Sequence, residues 1–123
     1  MGWKLLEPIL VGNSCAKNRI VMAPMETRMS TMSGDVTQGM IDYYTERAKG
    51  GAGLIIIENT FVDNLASRSS LSSSGLYSDH LIAGKNLLAE AIKENGALAI
   101  IQLSHGGRQE QEQQCMKQWR HLQ

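Results

Sequence analysis

Residues 54–57 are Leu-Ile-Ile-Ile, and this uninterrupted apolar stretch decides the fold. A strand with one solvent-facing side alternates apolar and polar residues, whereas a continuous branched run is typical of a parallel strand buried on both faces. Similar runs lie at residues 20–23 (Ile-Val-Met-Ala) and 98–101 (Leu-Ala-Ile-Ile). The segments between them are long enough for βαβ units of about 30 residues or more. The sequence therefore predicts three parallel strands joined by helices, an α/β fold.

Capping residues and helical spacing mark both crossovers. Thr37 is a suitable N-cap for a helix over Met40, Ile41, Tyr44 and Ala48 that ends at Gly50-Gly51. A second helix is predicted to open at Ser78 or Asp79 and to end at Gly96, with an apolar stripe of Leu81, Gly84, Leu88, Ala91 and Ile92.

Two shorter features lie outside the crossovers. The sequence Gly-Asn-Ser at residues 12–14, between residues 9–11 and 15–17, predicts a small hairpin before the first parallel strand. Residues 67–74 contain serine at six of eight positions and predict an exposed loop.

Composition and charge exclude several classes of protein. The 123 residues carry 12 Lys+Arg and 12 Asp+Glu, so the net charge of zero gives no electrostatic footprint for nucleic acid. The longest apolar run, residues 97–101, is far shorter than the ~20 residues that span a bilayer. The first residues make a poor signal peptide, and Cys15 and Cys115 are the only cysteines. We therefore expect a cytoplasmic protein with reduced thiols that binds neither nucleic acid nor membrane.

The strand ends are where chemistry is expected, because ligands of parallel α/β sheets bind beyond the carboxyl ends of the strands. The segments that follow the predicted strands are 24–26, 58–60 and 102–108. In the last segment, Gln102 and His105 with Arg108 beside a glycine pair suit a planar heterocycle with donor and acceptor edges. The alternative is a polar loop that only leaves the strand, with His105 in a structural hydrogen bond.

A carboxylate pair offers a different chemistry. Glu26 and Glu58 follow neighbouring strands and could act as acid and base in a glycosidase or lyase. The alternative interpretation is a local salt bridge at Glu58 and a solvated Glu26. The three histidines show no metal-ligand spacing, and Cys15 has no nearby base, so neither a metal site nor a thiol nucleophile is predicted.

Three motifs in sequence order resemble the old yellow enzyme family. They are Asn-Arg-Ile-Val-Met-Ala-Pro-Met at 18–25, Gly-Leu-Ile-Ile-Ile-Glu at 53–58 and Ile-Gln-Leu-Ser-His-Gly-Gly-Arg at 101–108. The Gln-Leu-x-His-x-Gly-Arg signature is similar to that of bacterial NADH:flavin oxidoreductases, a group that includes 2,4-dienoyl-CoA reductases. The resemblance runs from about residue 5 to residue 109.

The resemblance implies a (β/α)8 TIM barrel, of which this chain holds the N-terminal part, a hairpin plus about three β/α units. It also implies FMN at the carboxyl ends of the strands. Similar proteins take a hydride from NAD(P)H onto the flavin and pass it to an activated C=C bond, so the implied substrate is an enone or enoyl compound.

Six residues match cofactor-binding positions of the family. By resemblance, Pro24, Met25 and Glu26 lie along the isoalloxazine, and the backbone of Asn59 approaches its N5/O4 edge. Gln102 hydrogen-bonds the pyrimidine edge, and Arg108 lies in the loop above. No catalytic residue is carried over, because the family's substrate-binding His/Asn pair and Tyr proton donor have no counterpart in this chain.

Two of these positions depart from the family pattern. Glu26 stands where Thr or Cys is usual, and a carboxylate near the ring disfavours the anionic reduced flavin, so we expect a lowered reduction potential. Asn59 is larger than the usual Ala or Gly.

Length suggests how the chain is organised. A TIM barrel needs about 250 residues, so residues 1–109 are interpreted as the N-terminal portion of an FMN-binding barrel and residues 110–123 as a divergent glutamine-rich tail. The expectation is a truncated or frameshifted product that is inactive alone. The alternative is a non-enzymatic half-barrel that self-associates through exposed strand edges or needs a complementary chain.

Overall fold

The apolar stretch at 54–57 forms the central strand of a parallel sheet in the computed structural model, which describes residues 2–64 and 67–107. This strand, β4 (Leu54–Phe61), pairs in parallel with three others, β3 (Val21–Met22), β5 (Ser74–Gly75) and β6 (Leu98–Ser104). The crossovers contain the helices α1 (Gln38–Lys49) and α2 (Ile82–Glu94). Short 3-10 turns lie at Lys4–Leu6 and Asp79–Leu81, and an antiparallel hairpin of β1 (Ile9–Val11) and β2 (Ser14–Ala16) precedes the sheet.

The predicted hairpin and helices are confirmed, except that α2 begins at Ile82 after a 3-10 turn and not at the predicted Ser78 or Asp79. The Thr37 side chain accepts a hydrogen bond from Met40 N at 3.3 Å, which caps α1. Gly51 and Gly96 have φ of +106° and +83°, so each supplies the left-handed residue that lets the chain leave a helix. No helix among residues 2–64 and 67–107 is long and apolar enough to cross a membrane.

The three predicted parallel strands are confirmed, but two of them are longer than predicted. β4 continues to Phe61 and β6 to Ser104, past the predicted ends at residues 57 and 101. The register explains the extension, because pairing resumes at Thr60 and Leu103 after an irregularity between Ile57 and Thr60. The polar side chains that follow residues 57 and 101 therefore lie within the sheet.

Only one face of the sheet is covered, which corrects the prediction that all three runs are buried on both faces. Ile55 and Ile57 are fully buried in a core with residues of both helices, namely Met40, Tyr44, Ala48, Leu88 and Ile92. On the opposite face, here called the inner face, Val21 is 50% exposed and Ile100 is 42% exposed. The two helices of the described chain lie on one side of the sheet and leave the other accessible.

The serine-rich segment is also not the exposed loop that its composition predicts. Ser67, Ser73 and Ser74 are buried, and Ser74 belongs to β5. Their hydroxyls point into the protein and hydrogen-bond to Asp63 and Thr60, among others. Serine content alone does not reveal these partners, because Asp63 and Thr60 lie outside the serine-rich segment.

The residue before β4 lies where only a glycine fits. Asn18 joins the start of β3 to this point, since its Nδ2 donates to Gly51 O at 2.8 Å and its Oδ1 accepts from Ile20 N at 3.0 Å. A Cβ on Gly53 would lie 2.4 Å from Asn18 Oδ1 and 2.5 Å from the Asn18 main-chain oxygen. The close approach holds the N-terminal ends of β3 and β4 together.

Gly53→Ala should lower the free energy of unfolding by about 1–3 kcal/mol, because the Asn18 backbone must shift to admit the new methyl group. Gly39→Ala is the matched control, since its Cβ would meet no heavy atom closer than 3.9 Å and alanine favours the α1 helix. Urea unfolding of both variants measures the difference. Equal stabilities would contradict the close-approach argument.

Candidate functional site

The irregularity in β4 decides which polar side chains reach the inner face. Ile57 packs in the helix-side core, and Glu58 hydrogen-bonds to Tyr44 in that same core, so two successive residues point to one side. Such a bulge moves the following side chains to the opposite faces from those expected by simple alternation. Asn59 consequently faces inward, beside Gln102 of β6, the neighbour of the core residue Ile101.

Glu58 is fully buried and ties three segments together. Its Oε2 accepts hydrogen bonds from Thr27 N at 2.7 Å and from the Tyr44 hydroxyl at 3.3 Å. The same hydroxyl accepts from Glu58 N at 2.9 Å, a backbone donor beside the irregular part of the ladder. Burial raises the pKa of Tyr44 above its usual range, so the phenol keeps the proton that it donates.

This arrangement corrects both interpretations of the Glu26–Glu58 pair. Glu58 forms no salt bridge within residues 2–64 and 67–107, and its full burial on the helix side removes it from any ligand on the inner face. Glu26 is not freely solvated, because its Oε1 accepts from three serine hydroxyls: Ser69 at 3.2 Å, Ser70 at 2.6 Å and Ser73 at 2.7 Å. The acid–base pair of a glycosidase or lyase is therefore absent from this part of the chain.

The serine hydroxyls favour the ionised form of Glu26. Partial burial would raise the pKa of this carboxyl, but donation from Ser70, Ser73 and Ser69 outweighs it, so the pKa lies below its ordinary value of 4.5. A carboxylate that is held by three donors remains charged at neutral pH.

Ser70→Ala together with Ser73→Ala should raise the pKa of Glu26, because two donors to the carboxylate are lost while its burial remains. Carboxyl-carbon NMR titration of Glu26 measures the change. Ser72→Ala is the matched control, since the Ser72 hydroxyl does not bond to Glu26 within the described residues. A Glu26 titration unchanged in the double variant would contradict the role of the hydroxyls.

The serines also bring together two of the predicted site residues. Asn59 Nδ2 donates to Ser69 Oγ at 2.9 Å, and Ser69 Oγ donates to Glu26 Oε1. Met25, which is 56% exposed, and the half-buried Pro24 precede Glu26. Gln102 is exposed on β6.

The glycine-rich turn after β6 has a structural feature of its own. His105 Nδ1 accepts from Gly107 N at 2.9 Å, which matches the structural role considered for this residue. Arg108 and residues 110–123 lie outside the described residues. No group of three His, Cys, Asp or Glu in the described part of the chain could hold a metal ion.

Sequence reasoning missed Lys85, which is only 4% exposed. It lies between Leu81 and Leu88 on the buried stripe of α2, and this spacing is the signal that could have identified it. Its Nζ donates a hydrogen bond to Ser74 Oγ. Burial lowers the pKa of Lys85 to about 8, although the negative charges of Glu58 and Asp35 oppose the shift.

The stability of Lys85→Met relative to the wild type should fall by about 2–3 kcal/mol between pH 7 and pH 10, because the buried ammonium group that the folded wild type carries at pH 7 has lost its proton at pH 10. The folded-state pKa of about 8 lies below the ordinary value of 10.5. Between these values the unfolded chain binds more protons, so wild-type stability rises with pH and the advantage of the variant shrinks.

Urea unfolding at pH 7 and near pH 10 measures that advantage. Lys93→Met on the exposed side of α2 is the control and should show no such dependence. A stabilisation by Lys85→Met that is the same at both pH values would contradict the assignment.

The fold and the sequence place the chain among known proteins. The profile of the NADH:flavin oxidoreductase / NADH oxidase family matches residues 4–120. The chain belongs to this family. It is 44% identical over 99 residues to the NADH oxidase of Thermoanaerobacter brockii and 50% identical over 91 residues to the NADH:acrylate oxidoreductase of Vibrio harveyi.

The fold of the chain is also similar to solved structures of old yellow enzymes. The solved structure of the old yellow enzyme homologue from Zymomonas mobilis matches with a TM-score of 0.78 at 35% identity, over 85% of this chain and 29% of that one. The predicted fold class, part of an old-yellow-enzyme TIM barrel, is thereby confirmed. The two curated relatives are matched over 80% and 74% of this chain but over only 15% and 9% of their own lengths.

Proposed function

We propose that this chain forms part of an FMN site in an oxidoreductase that passes a hydride from NAD(P)H to an activated C=C bond. The observation that carries the proposal is the inner face, where an exposed Gln102 amide lies beside an accessible apolar floor. Membership of a flavin oxidoreductase family supports FMN as the ligand of that face. The name of the acrylate oxidoreductase supports an activated alkene as the substrate class.

The residues present fit a flat, amphipathic ring system. Val21, Met25 and Ile100 expose apolar surface that a planar heterocycle would cover. The Gln102 amide offers both a donor and an acceptor, which matches a ring edge that presents both. The Gln102 side chain is exposed and forms no hydrogen bond with other described residues, so its amide is available to a ligand.

In the proposed site each residue has a separate task. Bound FMN would supply the hydride-transfer chemistry, which belongs to the cofactor. Pro24 and Met25 would bind along its ring, the Asn59 backbone would lie at one edge, and Gln102 would orient the other. Glu26 would keep a negative charge near the site, and its proposed effect on the flavin potential stays a prediction. Arg108 would contribute from the loop after β6.

A non-enzymatic assembly role is the second candidate, and the exposed apolar surface favours it. Leu103 is 62% exposed in β6 and Val21 is 50% exposed in β3, the strands that flank β4. Unpaired strand edges with apolar side chains are sites of association between chains. A second copy or a complementary chain would cover them.

Titration of the 123-residue chain with FMN, followed by flavin fluorescence and by size exclusion, separates the two candidates. We expect flavin to be quenched and to co-elute with the chain. Gln102→Ala should weaken FMN binding by roughly five- to tenfold, because an amide that bonds the ring edge contributes about 1 kcal/mol. Gln38→Ala, an exposed glutamine of α1, is the matched control and should bind like the wild type.

Two results would count against the flavin site. Equal FMN affinity in the Gln102→Ala and Gln38→Ala variants would show that FMN does not bind at Gln102 on the inner face. A folded oligomer that retains no flavin at saturating FMN would favour the assembly role instead.

A further inference from the structure

The segment at residues 24–27 has an anchor outside the proposed ligand surface. Thr27 N donates to Glu58 Oε2 at 2.7 Å, a short bond from a backbone amide to a carboxylate, and this class is among the stronger hydrogen bonds in proteins. Glu58 is fully buried against α1, whereas Met25, two residues before Thr27, is 56% exposed. A buried side chain on one face of the sheet thus holds a backbone segment that borders the other face.

The backbone beside this anchor is under conformational constraint. Arg28, directly after Thr27, has φ of +58° and is the sole non-glycine residue with positive φ in the described ranges. Such a conformation persists only where surrounding contacts enforce it. Two sets of hydrogen bonds flank Arg28 and hold its backbone in this conformation. The Thr27 amide donates to Glu58, and serine hydroxyls donate to the Glu26 side chain.

The Glu58 carboxylate is in turn held in one orientation. The Tyr44 hydroxyl bonds both its Oε2 and its backbone N, and Tyr44 is itself fully buried. Oε1 is buried and has no hydrogen-bond partner within the described residues, so the hydrogen bonds that this carboxylate accepts from Thr27 and Tyr44 are both made by Oε2. Helix α1, strand β4 and the 24–27 segment therefore meet at a single oxygen atom.

We propose that Glu58 is a positioning residue that fixes the 24–27 segment through the Thr27 amide and thereby determines flavin affinity without touching the flavin. The second half of this statement rests on the proposed function, whereas the first half concerns the chain alone. A loss of the carboxylate would release the Thr27 amide while the helix-side core keeps its packing.

The experiment compares Glu58→Met, which removes the acceptor at similar volume, with Tyr44→Phe, which removes the hydroxyl but leaves the bond between Thr27 and Glu58. Amide hydrogen exchange of the 123-residue chain without ligand is read at Thr27 and at the core residues Ile55 and Leu88. We expect Thr27 to exchange at least tenfold faster in Glu58→Met and by a smaller factor in Tyr44→Phe, where the acceptor remains but is less firmly oriented, with core protection retained in both. The FMN dissociation constant should rise at least tenfold in Glu58→Met.

The outcomes separate this inference from the proposed function. Thr27 protection in Glu58→Met equal to that of the wild type overturns the inference, and so does an unchanged FMN dissociation constant when the wild type binds FMN. If the wild type binds no FMN, the proposed function fails, and the Thr27 exchange rate alone decides the anchoring role.

A second variant keeps the test decisive should Glu58→Met fail to fold. Glu58→Gln retains the shape and an acceptor oxygen but replaces the carboxylate with an amide, which weakens the bond from Thr27. The Thr27 amide proton should then shift upfield while the Ile55 and Leu88 resonances stay in place. An unmoved Thr27 resonance overturns the inference.

Discussion

The buried carboxylate of Glu58 is the constraint on which the site depends. A fully buried acidic group requires hydrogen-bond donors, and here they come from the main chain of Thr27 and the hydroxyl of Tyr44. The bulge in β4 brings Glu58 to these donors, because it turns the Glu58 side chain toward α1 and leaves Asn59 facing inward. A regular strand would exchange the two side chains and place a carboxylate on the proposed flavin surface.

A second layer of polar contacts surrounds this centre. Ser74 links β5 to Lys85 of α2, and the hydroxyls of residues 69, 70 and 73 link Glu26 to the segment after β4. These bonds join elements that are far apart in sequence but adjacent at the carboxyl end of the sheet. The apolar core forms the scaffold, whereas the polar contacts set the positions of the residues that border the inner face.

Local patterns in the sequence predict the scaffold well. The apolar runs at 20–23, 54–57 and 98–101 mark the three parallel strands, because a continuous apolar run without alternation is typical of a strand in a parallel sheet. Thr37 and Gly51 mark the ends of α1 because capping chemistry acts within a few residues. The family motifs contain Gln102 and Asn59, which lie on the inner face, whereas their part in FMN binding stays a prediction.

The features that sequence reasoning missed depend on contacts between distant residues. Nothing near Glu58 in the sequence shows that Tyr44 and Thr27 will supply its donors, so a salt bridge was the natural expectation. Ser73 and Ser74 can be buried because their hydroxyls form hydrogen bonds with Glu26, Thr60 and Lys85. The composition of the segment does not show these partners. The bulge leaves no local signature either, because it follows from the register between β4 and β6.

The central claim is that the flavin ring lies on the inner face, bordered by the 24–27 segment, with Glu58 behind it. The most direct measurement is to add FMN to the isotope-labelled chain and map the amide and methyl shift changes by NMR. We expect changes at Met25, Asn59 and Gln102, a smaller change at the Thr27 amide, and none along the exposed side of α2. Changes centred on the helices, or none at saturating FMN, would contradict it.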